Sequence, residues 1–135
     1  MNKQMKMMRE LEQGMEQIQN VVGQEGGVIA GSVYAARIRC GRKACRCMQS
    51  DYRHEIRCIS FREDGGSRTR TLPDELAEEI QDKTVSYRQA KQLRRAMAKL
   101  SSKLIGEVDR LIAAAAQKGQ QDMLSALTKA RKEAK

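Results

Sequence analysis

All four cysteines and the only histidine of the chain fall within nineteen residues, as Cys40-x4-Cys45-x-Cys47-x6-His54-x3-Cys58. That cluster constrains the fold more than any other feature. In a chain whose first residues lack the apolar core of a secretory signal, a reducing cytoplasm is expected, and there such a cluster favours metal ligation over disulfides. Zinc takes four soft or borderline ligands in a tetrahedron, and cysteines on a tight turn bring thiolates together with little loop to order. Gly41 is suited to a positive φ beside the first cysteine. Arg39, Arg42, Lys43 and Arg46 favour thiolate over thiol by their charge.

Five candidates compete for four positions. His54 opens a predicted strand next to the loop, whereas Cys58 stands in the middle of that strand, where a cysteine is commonly a small buried hydrophobe. The expected ligands are therefore Cys40, Cys45, Cys47 and His54, with an all-cysteine set in which Cys58 replaces His54 as the alternative. A closed set of this kind leaves no open position for water, and no second histidine is present for acid–base work. A non-enzymatic protein is expected.

The rest of the chain predicts an α+β fold: a small antiparallel β meander with a zinc-knuckle-like loop, flanked by an N-terminal helix and long C-terminal helices. Met5, Met8, Leu11, Met15, Ile18 and Val22 recur at spacings of three and four, so residues 1–24 read as an amphipathic helix packing through that stripe. Residues 28–72 read as the β and knuckle module. Its strands are Val33 to Arg39, His54 to Arg62 and Ser67 to Leu72, with Asp64-Gly65-Gly66 as a turn.

Pro73, followed by Asp74, Glu75, Glu78 and Glu79, starts a helix, because acids offset the positive end of the helix dipole. That helix, or a helical hairpin, is expected over residues 73–118. Lys118-Gly119 forms a stop, and a last helix occupies 120–135. Leu93, Met97, Leu100, Leu104, Val108, Leu111 and Ala115 form an eleven-residue apolar repeat suited to nearly straight packing against the first helix, the last helix or a second copy.

Twenty-six Lys and Arg against seventeen Asp and Glu give a net charge of +9, a field that attracts polyanions. Arg37, Arg39, Arg42, Lys43 and Arg46 crowd the knuckle with no intervening acid, and Arg68 and Arg70 alternate on the third strand and extend the patch. On the long helix Arg88, Lys91, Arg95 and Lys99, with Lys103, lie opposite the apolar stripe. Aromatic residues make up 3% of the chain, which disfavours base-stacking modes and leaves phosphate contacts to a duplex. The expectation is a small zinc-binding protein that binds nucleic acid, duplex DNA ahead of RNA, with its helices mediating homo-oligomerisation or binding a protein partner. The competing expectation is a non-enzymatic scaffold whose zinc is structural. Membrane association is not expected, since no interfacial Trp or Phe borders the basic helix face.

Residues 31–73, from Gly31-Ser32 through Cys40-Gly41-Arg42-Lys43-Ala44-Cys45-Arg46-Cys47 and His54 to Leu72-Pro73, resemble an uncharacterised prokaryotic family of short domains. Its pattern runs Gly-Ser, Cys-Gly-Lys-x-x-Cys-x-Cys, His-Gly-Pro-Tyr, an aromatic strand, a basic strand and a proline-started helix. The resemblance implies Cys40, Cys45, Cys47 and His54 as the ligand set, because the family tends to carry an aromatic where Cys58 stands. It also implies an association with mobile elements. The chain departs from the pattern at His54-Glu55-Ile56, where the family has His-Gly-Pro.

Overall fold

The computed structural model describes residues 2–134, in the order α1 (Lys3–Val22), β1 (Gly31–Ile38), α2 (Arg46–Gln49), β2 (His54–Glu63), β3 (Gly66–Leu72) and α3 (Asp74–Glu133). The architecture is α+β, as the sequence predicts. No helix among the described residues is long and apolar enough to cross a membrane. The chain divides into two compact units. One is Glu16–Arg94; the other joins the first helix up to Met15 with the last from Arg95 onward.

In the first unit the three strands form an antiparallel sheet in the order β1-β2-β3. Asp64 at φ 50° and Gly65 at φ 77° make the two-residue turn between β2 and β3, and paired positive φ values match the right-handed twist of the strands they join. Strand alternation sends Val33, Ile59, Phe61 and Leu72 to one face. There Ile59 and Leu72 are buried with Ala77 of α3, and Ile29 and Ile80 pack around them. Cys58 lies on the opposite face, between Tyr34 and Thr71 in the register, and is itself buried.

Two further contacts tie α3 into this unit. The backbone N–H of Ile29 donates to the carbonyl of Lys83 at 3.2 Å. Thr84 is fully buried, and its hydroxyl donates to the carbonyl of Gln81 at 2.7 Å, which removes the cost of an unpaired polar group in the core.

In the second unit the Lys3 ammonium meets Glu107 at 3.5 Å, while Gly14 lies against Met97. Moving up α1 therefore moves down α3, so the pairing is antiparallel. A Cβ on Gly14 would stand 2.9 Å from Met97 Cγ. Glycine here admits the methionine side chain, a role beyond the weakening of the helix that its propensity predicts.

Three sequence expectations about the helices are corrected. The methionine stripe is not the packed face of α1: Met8 is 57% exposed and Met5 and Met15 are exposed with it, while Met7 is 5% exposed. The covered row is Gln4, Met7, Leu11, Gly14, Ile18 and Val21, a seven-residue repeat that accepts a polar and a glycine position to keep its spacing. Secondly, α3 runs without a break from Asp74 to Glu133: of the two alternatives for 73–118 it is the long helix that forms and not the hairpin, and among the described residues no separate helix begins at residue 120. Gly119 has no positive φ, and the helix formers on either side outweigh its cost of about 1 kcal/mol. Thirdly, the apolar stripe of α3 is half-buried at Leu93, Met97, Leu100 and Leu104, but Val108, Leu111 and Ala115 are exposed.

Candidate metal centre

The connection between β1 and β2, residues 39–53, carries the cysteines. Gly41 adopts φ 83°, as its place after Cys40 predicts, and turns the chain back on itself. The N–H of Cys45 donates to the carbonyl of Arg42 at 3.0 Å. Cys45 then caps α2, a single turn absent from the sequence prediction, which carries Cys47 into a fully buried position. His54 enters as the first residue of β2, opposite Ile38.

These elements bring Cys40, Cys45, Cys47 and His54 together, with all four ligand atoms within 4.8 Å of one another. The Sγ atoms of Cys40 and Cys47 are 3.5 Å apart, and Cys45 Sγ is 3.1 Å from His54 Nε2. A tetrahedral ion with metal–sulfur bonds of about 2.3 Å has ligand–ligand edges of roughly 3.8 Å. The observed separations bracket that edge, so the four residues are positioned to bind a metal ion. Cys58 is not among them. It points to the same sheet face as His54 but four residues further along β2, a rise of about 13 Å. That distance removes the all-cysteine alternative.

The electrostatics are graded across the cluster. The backbone N–H of Arg42 pulls the Cys40 thiol from 9.0 down to about 6, and hydrogen bonds with Cys45, Cys47 and His54 act in the same direction against desolvation. Burial pushes Cys47 up, partly opposed by the N–H of Cys40, which donates to its sulfur at 3.3 Å. Cys40 is the exposed member and Cys47 the enclosed one.

Two side chains that sequence reasoning did not select hold this loop. Arg53 Nη1 donates to the carbonyls of Cys47, Ser50 and Tyr52 at 3.1, 3.0 and 2.8 Å. The Tyr52 ring meets His54 edge to face with centroids 5.4 Å apart, while the Arg46 guanidinium lies 4.7 Å over the same tyrosine ring. Nothing in the spacing of the sequence signals either arrangement, because both depend on how the loop folds.

The basic candidates divide. Arg37, Arg39, Arg42, Lys43 and Arg46 are all exposed on or beside the metal-site loop. Arg68 and Arg70 do not extend that patch: they pair with Phe61 and Ile59, seven and five residues along β2 from His54. Their shared face was legible, but the register that carries them away from the knuckle was not. Arg88, Lys91, Arg95, Lys99 and Lys103 are exposed along α3.

A family model described as a domain of unknown function (DUF6788) matches residues 8–82, which take in α1 from its second turn, the sheet, the metal-site loop and the first turns of α3. No curated protein and no solved structure matches the chain.

Proposed function

The chain belongs to the DUF6788 family, and from that premise we propose that it is a zinc-stabilised, basic, non-enzymatic protein that binds nucleic acid, duplex DNA ahead of RNA, as an accessory or regulatory component of a larger assembly such as a mobile element. Zinc suits the donor set, three sulfurs and one imidazole nitrogen, better than harder cations that prefer oxygen. Four protein ligands fill the tetrahedron, so the ion's role is to organise the loop.

One observation carries the nucleic-acid reading. Arg37, Arg39, Arg42, Lys43 and Arg46 are exposed around a loop that the metal would rigidify, and among the described residues none is engaged in an ion pair. Guanidinium and ammonium groups on a fixed frame suit phosphate contacts, which position a protein on a duplex without reading bases, and only Arg37 has an acid, Glu55, opposite it in the register. The exposed basic residues of α3 add to the attraction.

The test is polarisation of labelled duplex and single-stranded oligonucleotides across several salt concentrations, with the wild type and the R42A/K43A/R46A variant. Binding to duplex should weaken with salt, and loss of three phosphate contacts should flatten the log–log slope by up to about 2.7. Metal content of the variant is measured alongside, because Arg46 also contacts Tyr52. Absence of binding at about 50 mM salt would overturn the reading, and an unchanged slope in a metal-replete variant would remove this loop from the interface.

A further inference from the structure

Every described residue of α3 from Val108 onward is exposed, although this stretch is rich in large apolar side chains. Ile105, Val108, Ile112, Ala116, Gly119, Met123, Leu127, Ala130 and Ala134 follow one another at spacings of 3, 4, 4, 3, 4, 4, 3 and 4. Each position repeats after eleven residues, so the row stays on one side of a nearly straight helix. Ile112 is 63% exposed and Leu127 58%. An apolar row of this length left in water is unfavourable, and it marks a surface for association.

We propose that this stretch of α3 pairs with the same stretch of a second copy, antiparallel, about a two-fold axis at Gly119–Gln120. The row is its own complement when reversed. With the axis there, Ile112 meets Leu127 of the second copy and Ala116 meets Met123, so a large side chain faces a large one or fills the space beside a small one. Gly119 lies at the crossing, where a Cβ would meet nothing within 4 Å in the single chain and where a missing side chain lets two backbones approach.

The flanking charges select the second copy as occupant and fix the direction. On one flank Asp109 comes opposite Arg131 of the second copy, and on the other Lys118 comes opposite Asp122. The two-fold axis repeats each pair, giving four attractive contacts, against two between Glu107 and Glu133 at the same register, where Glu107 is already paired with Lys3 and Arg110 of its own chain. A parallel, in-register arrangement would instead leave Asp109 and Arg131 of the second copy about 33 Å apart along the axis, at 1.5 Å per residue. This association depends on neither the metal nor the nucleic acid.

Sedimentation velocity on the full chain tests the proposal, with D109R, R131D and the double variant D109R/R131D. The wild type should sediment as a dimer at about 100 µM. Each single reversal turns two attractive contacts repulsive and should weaken the dimer about ten-fold, and the double variant should recover it, by the scale of exposed ion pairs. Circular dichroism confirms that helicity is kept. A monomer at that concentration, a larger assembly, a dimer indifferent to the single reversals, or a double variant that stays weak would each overturn the arrangement.

Discussion

Arg53 Nη1 donates to the carbonyl of Cys47 at 3.1 Å, and the same nitrogen also holds the carbonyls of Ser50 and Tyr52. One cation thus gathers three carbonyls at the end of the turn that buries a metal-ligand cysteine. Outer groups that orient ligands commonly carry ten- to hundred-fold in metal affinity. R53A should lower zinc affinity by about that factor, measured by competition with a chromophoric chelator. R53K, with one compact ammonium in place of a planar fork, should fall between the two.

Ligand identity is checked by elemental analysis of purified variants. C45S and H54A should lose stoichiometric metal, whereas C58A should retain it, since Cys58 sits about 13 Å along β2 from His54. C58A should also lower stability modestly, because Cys58 is buried between Tyr34 and Thr71. Retention of metal by H54A together with its loss in C58A would reverse the assignment.

Thiol reactivity of the metal-free chain has a defined pH dependence. Cys40 is exposed and its folded value, about 6, lies below the ordinary 9.0. A lowered thiol value stabilises the fold in full above the unfolded value, progressively less as pH falls from 9 toward 6, and not at all below. Between those limits iodoacetamide should modify Cys40 first, with buried Cys47 and Cys58 last, as read by peptide mass spectrometry.

The close approach of Gly14 to Met97 makes a separate prediction. G14L places a branched side chain where Met97 Cγ stands 2.9 Å from even a Cβ, and overpacking of this kind costs about 1–3 kcal/mol. M97A opens that space, so the double variant should recover part of the loss. Denaturant titrations of the four proteins give the coupling, and strict additivity would show that the two residues do not share the space.

How much of this was legible in sequence depends on the range of the interaction. Gly41, the Asp64-Gly65 turn and the acidic start of α3 are local, and a few adjacent residue types suffice to place them. Cys40, Cys45, Cys47 and His54 were legible for a different reason: few residue types hold a soft metal, and the chain concentrates them. Met7 was missed because apolar spacing alone does not say which of two overlapping rows is covered. The choice fell to the row that puts Gly14 against Met97. The far placement of Arg68 and Arg70 likewise needed the pairing of β3 with β2, a relation no single strand records.

The pairing of Ile38 with His54 joins β1 and β2 directly beneath the metal-site loop, and the packed centre around Ile59 and Leu72 lies further along the sheet. The effect of losing a bound ion would therefore be confined to residues 39–53, while the strands below keep their own bonds. Occupancy of the site and integrity of the sheet would then be separable properties of one chain, the first read at the loop and the second at the strands.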